Sequence, residues 1–86
     1  RFAGQTTMID AAQNIWVVRA NTCHMKARHD LRMAREWRRR YRLALQARSV
    51  NFALLAYNAR LRHIETCKEL LAEARALLAY AASHAE

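Results

Sequence analysis

Apolar side chains recur through the first half of this chain at a helical period. Ile9, Ala12, Trp16, Ala20, Cys23, Ala27, Leu31, Ala34, Tyr41 and Leu45 hold nearly one phase at about 100° per residue over about ten turns. One long helix is the economical reading. Thr7 marks its expected start as an N-cap, with Asp10 three residues on placing a carboxylate in the first turn. Val17, Val18, Asn21, Thr22 and Cys23 are weak helix formers, which leaves a break near Asn21 and a three-helix bundle as the alternative.

Between Leu43 and Val50 the apolar phase moves almost to the opposite side of the helix, and Ser49 or Asn51 suits the cap of a new one. A tight turn over Arg48 to Asn51 accounts for both and is preferred to a continuous helix that changes partners. In the second helix Val50, Tyr57, Ile64, Leu71 and Leu78 recur every seven residues. Ala53, Cys67, Ala74 and Ala81 follow three residues later, and Leu54 and Leu61 follow four later. A strict seven-residue period predicts a left-handed coiled-coil-like seam, with Val50, Tyr57, Leu61, Ile64, Leu71 and Leu78 as the helix–helix interface. Phe52, Leu55, Ala59, Leu70, Leu77 and Tyr80 fall off that seam, so a second covering surface is implied.

The expected fold class is therefore all-α, an antiparallel helical hairpin of two long helices that assembles into a larger helical bundle. It reads as a single helical domain over residues 1–86, with a flexible lead-in at 1–6, a first helix over about 7–48 and a second over about 50–83. Composition agrees: 53% of the residues are hydrophobic, Pro is absent and Gly occurs once, so little interrupts a helix. A chain of 86 residues is near the size at which one core gives marginal stability, which favours a homo-oligomer or a larger protein assembly.

Charge adds a candidate activity. Nine of the fifteen basic residues lie between Lys26 and Arg48, against only Asp30 and Glu36. Arg28, Arg32, Arg35, Arg39 and Arg42 follow alternating spacings of four and three, which aligns them on one helix edge. Arg38 and Arg40 extend the positive charge to other sides. A row of guanidinium forks suits phosphate, because each donates paired hydrogen bonds and stays charged. The expected function is a small basic structural protein that binds nucleic-acid backbone without sequence specificity, as a packaging or ribonucleoprotein-type assembly component. Arg28, Arg32, Arg35, Arg38, Arg39, Arg40 and Arg42 are its candidate contacts. The competing reading is a helical assembly subunit or adaptor whose Arg stripe pairs with an acidic protein partner. Within the chain, Glu65, Glu69 and Glu73 form an acidic stripe that a hairpin brings roughly level with Met33, His29 and Met25, a register that permits pairing to Arg28 or Arg32. Trp37 and Tyr41 lie among the arginines, yet their helical spacing reads as packing before base stacking, and Trp16 reads as packing alone.

Other chemistries find little material. No apolar run approaches the roughly 18 to 20 residues of a membrane helix. Nor is a signal-peptide pattern visible, and nothing indicates a compartment. His63 and Cys67 share a face at i, i+4, but Cys23, His24 and His29 do not complete a metal site, so no metal and no cofactor are expected. The two cysteines fall at different levels of the hairpin and read as free thiols. There is no Gly-rich phosphate loop, and Ser49 and Ser83 sit at a presumed turn and tail, so no enzyme activity is expected.

Overall fold

The computed structural model describes the backbone of residues 3–83 and the side chains of residues 15–83. Two helices, α1 over Ala3–Gln46 and α2 over Val50–Ser83, form an antiparallel hairpin. The 44 residues of α1 amount to about 66 Å at 1.5 Å per residue, close to the 68 Å long axis of the molecule. No break occurs near Asn21. There Thr22 Oγ1 donates to the Val18 carbonyl at 3.0 Å, which satisfies its hydroxyl within the helix. The backbone is already helical at Thr7, ahead of the start its N-cap predicts; the Thr7 and Asp10 side chains, like residues 1 and 2, lie outside the described residues.

The turn is made by hydrogen bonding around one unusual residue. Arg48 takes φ 58°, the left-handed region that glycine occupies most readily at a helix end. Its amide donates to Leu45 O at 3.0 Å, and the Ser49 amide donates to Ala44 O at 2.8 Å, together a Schellman closure of α1. The Ser49 carbonyl then accepts the Ala53 amide at 2.9 Å, so Ser49 opens α2 as its cap residue.

The two helices meet along matched rows. On α1 the row is Trp16, Ala20, Cys23, Ala27, Asp30, Ala34, Trp37, Tyr41 and Ala44; on α2 it is Ala53, Ala56, Arg60, His63, Cys67, Leu70, Ala74, Leu77 and Ala81. Every member is buried or half-buried, and both rows alternate spacings of three and four, as in a coiled coil. Ala20, Ala56 and Ala74 are 0% exposed. Such small side chains permit a close approach of the two helices. Aromatic pairs stand near either end of the contact. The Trp16 and Tyr80 ring centroids are 4.5 Å apart, and those of Tyr41 and Tyr57 are 5.9 Å apart near the turn. Tyr41 and Trp16 are thus packing residues.

The seam expected through Val50, Tyr57, Leu61, Ile64, Leu71 and Leu78 runs beside this contact line rather than along it. Ile64 is half-buried and the other five are exposed. Alanine supplies most of the buried apolar residues instead. The resulting rod has a radius of gyration of 19.6 Å, against about 12 Å for a compact chain of this length. Its 6746 Å² of accessible surface exceeds the roughly 5,200 Å² of a globular monomer of 10.0 kDa.

Candidate partner-binding faces

Two surfaces stand out on this rod, one apolar and one cationic. The apolar surface runs along α2 through Val50, Leu54, Tyr57, Leu61, Ile64, Lys68, Leu71, Arg75, Leu78 and Ala82. These residues again alternate spacings of four and three, and the row lies about 100° around α2 from the seam with α1. Val50 is 66% and Leu54 56% exposed. Near the turn, Val50, Leu54 and Tyr57 join Tyr41 and Leu45 of α1 to line a shallow groove. Farther along the same side, Leu31, Arg35 and Arg38 of α1 face Arg60 and Ile64 of α2 across a second groove.

The cationic surface is the outer edge of α1. Arg28, Arg32, Arg35, Arg38, Arg39 and Arg42 are all exposed, while Arg40 is half-buried. Glu36 engages two of them: Arg39 Nη2 donates to its Oε1 at 2.6 Å and Arg39 Nε to its Oε2 at 3.2 Å, while Arg40 Nε donates to Oε1 at 3.3 Å. Arg40 also lies 4.7 Å from the centre of the Trp37 ring. Trp37 is therefore half-buried in the seam beneath a guanidinium, a packing position. Among the described residues, Arg28, Arg32, Arg35, Arg38 and Arg42 have no side-chain hydrogen bond or ion pair.

The row that looks continuous in sequence divides between two grooves. Arg35 and Arg38 line the groove beside the α2 apolar row, and Arg28 and Arg42 lie one heptad either side of Arg35 on the same edge. Arg32 lines a groove on the other side of the hairpin, with Met25, Lys26, His29, Asp30, Thr66 and Leu70. Arg39 follows Arg32 by seven residues.

The acidic stripe of α2 does not neutralise these arginines. Glu65 takes Lys68 at 3.7 Å on its own helix, and Glu73 lies against Cys23. Among the described residues no ion pair joins Glu65, Glu69 or Glu73 to Arg28 or Arg32. Burial first, and then the Glu73 carboxylate, push the Cys23 thiol above its ordinary range, which favours the thiol over the nucleophilic thiolate. Both cysteines are free thiols.

A hydrogen bond between a histidine and a carboxylate crosses the seam, a contact that the sequence pattern alone did not bring out. His63 Nδ1 and Asp30 Oδ1 are 2.8 Å apart, both on the facing rows. The available signal was weak: both residues fall on the facing rows, but folding the chain at Ser49 puts His63 level with Arg35, about a turn and a half from Asp30. His63 is thereby engaged by a carboxylate rather than with Cys67. Among the described residues no three of His, Cys, Asp and Glu are grouped as a metal site, and no helix is long and apolar enough to cross a membrane.

Compared with known proteins, the chain matches no family model, no curated protein and no solved structure.

Proposed function

We propose that this chain is a helical assembly component, acting by binding rather than catalysis, whose hairpin is completed by a partner helix packed along the outer apolar row of α2. One observation carries the reading. The hairpin buries mostly alanines and leaves the larger Val50, Leu54, Tyr57, Leu61, Leu71 and Leu78, all in heptad register, 37–66% exposed. A buried methyl group contributes only about 0.8 kcal/mol, whereas fully burying a Leu or Val contributes about 1.5–3 kcal/mol. Covering side chains that are already about half buried adds on the order of 1 kcal/mol each. A substantial part of the apolar stabilisation available to α2 is thus realised only when a partner arrives.

The test uses the isolated chain. The hairpin should unfold at low urea concentration and bind a hydrophobic dye, and Leu54→Gln, Leu61→Gln and Leu71→Gln together should remove dye binding while helicity by circular dichroism stays unchanged. A highly stable monomer that binds no dye refutes the proposal.

A second reading keeps the basic edge as the working surface and nucleic-acid backbone as its target. It is favoured by the unpaired Arg28, Arg32, Arg35, Arg38 and Arg42. Phosphate contacts position a protein without reading bases, so no sequence preference is expected. With about four arginines each meeting a phosphate of duplex DNA, log affinity should fall with log salt at a slope near about −3.6. Binding insensitive to salt, or surviving alanine at all five arginines, removes this reading.

A further inference from the structure

We infer that the helix covering the outer row of α2 is acidic along the edge that meets Arg28, Arg35, Arg38 and Arg42. This rests on the assembly reading above and specifies the partner's chemistry. The groove containing Leu31 and Ile64 is bordered by Arg35, Arg38 and Arg60, so a helix leaning into it meets guanidinium groups as well as apolar side chains. The charged members of the apolar row itself, Lys68 and Arg75, are cationic too. Glu65, beside that row, is already held by Lys68. The carboxylate nearest along α1, Glu36, is committed to Arg39 and Arg40. Among the described residues, the hairpin therefore supplies no anion for this edge. Covering it with a neutral or basic helix strips water from guanidinium groups without replacing their hydrogen bonds.

The same charge argues against a second copy as the occupant. The outer row lies about 100° around α2 from the seam, the geometry of a corner in a four-helix bundle. An antiparallel two-fold pair built on that corner lays α1 beside the α1 of its copy. Arg28, Arg35, Arg38 and Arg42 of both chains would then converge, with like charges facing each other at a drying interface. Each copy also brings a formal net charge of +8. A helix with carboxylates at the positions flanking its apolar heptads meets the same corner with opposite charges.

The probe is a labelled synthetic peptide of four heptads, with Leu at both core positions and Glu at the flanking ones. Its control carries Lys in place of Glu. Fluorescence anisotropy against the whole chain should show the Glu peptide binding at least about tenfold tighter than the Lys peptide, with the preference fading as salt rises. Changing Arg28, Arg35, Arg38 and Arg42 together to Gln should abolish the preference while leaving weaker binding of both peptides. Leu61→Gln with Leu71→Gln should abolish binding of both, and circular dichroism verifies that each variant remains helical. Equal affinity for the two peptides overturns the acidic partner while leaving apolar docking in place. A hairpin dimer in sedimentation that Leu61→Gln with Leu71→Gln disperses makes the second copy the occupant and overturns the inference. Short duplex DNA that binds through the four arginines, indifferent to the Leu changes, with neither peptide bound, assigns the edge to nucleic acid instead. Neither peptide bound, with a stable monomer that binds no dye, removes the assembly reading as well.

Discussion

Two rows of side chains run the length of α2, about 100° apart, and their burial is the reverse of what their size suggests. The inner row carries Ala53, Ala56, Ala74 and Ala81, and it is the row that closes on α1. The outer row carries Val50, Leu54, Tyr57, Leu61, Leu71 and Leu78, and it stays exposed. Small residues permit a close approach of two helices in one chain, where the turn at Arg48 already limits the entropy cost of meeting. Large residues are left for a contact that must also offset the loss of free translation between molecules. The inner row sets geometry, and the outer row holds the unspent apolar surface.

The strongest way to break this comparison is to put bulk where alanine sits. Ala74 is fully buried against Ala20, Cys23 and Leu77, with Trp16 and Leu70 packed around them. Ala74→Leu should destabilise the hairpin by about 1–3 kcal/mol through overpacking, read as a lower urea midpoint. By contrast, Leu71→Ala on the outer row, where the side chain is 37% exposed, should cost the isolated chain less than about 1 kcal/mol. Equal losses at the two sites would mean that the rows do not differ in role.

A smaller effect comes from a polar layer inside the seam. His63 and Asp30 meet at 2.8 Å with side chains 28% and 14% exposed. Asp30→Leu should cost about 1–2 kcal/mol by leaving His63 without its acceptor. Asp30→Leu combined with His63→Leu should recover the parent stability or exceed it, because apolar neighbours replace a pair that was costly to desolvate. If the double variant equals the sum of two losses, the pair contributes independently of its neighbour and the layer is better described as two separate contacts.

The hairpin was legible because several local signals agree: a change of apolar phase near Leu43, a capping residue at Ser49, and an absence of Pro throughout. The line of contact was harder to read. Val50, Tyr57, Ile64, Leu71 and Leu78 form the louder repeat, since hydropathy rises with side-chain size. Arg60, His63 and Cys67 make the true inner row look interrupted. Close packing selects small residues, and a pattern read for bulk passes over them. The turn itself was legible without a glycine to mark it, from the phase change and Ser49, although its closure by Arg48 at φ 58° was not. The arginine row was visible from its spacing alone. Its division between two grooves, and the capture of Arg39 and Arg40 by Glu36, depend on where α2 lies and on rotamers that spacing does not encode.

The outer edge of α1 should contribute least to stability, and acid titration can show it. The hydrogen bond from Arg39 holds the Glu36 carboxyl below its ordinary range; partial burial opposes this, and the attraction of Arg39 and Arg40 adds to it. A carboxyl depressed in the folded state gives its stabilisation in full above the ordinary carboxylate range, near 4.5, and loses it as pH falls through the depressed value. Glu36→Gln should therefore lower the melting temperature slightly at pH 7. The gap between variant and parent should close on acidification below 4.5, and added salt at pH 7 should narrow it as well. Thermal melts of the two proteins over that pH range make the measurement. A gap at pH 7 as large as that of Ala74→Leu would place this edge inside the cooperative core. A small one leaves the arginines of α1 free to serve a partner without disturbing the seam that positions them.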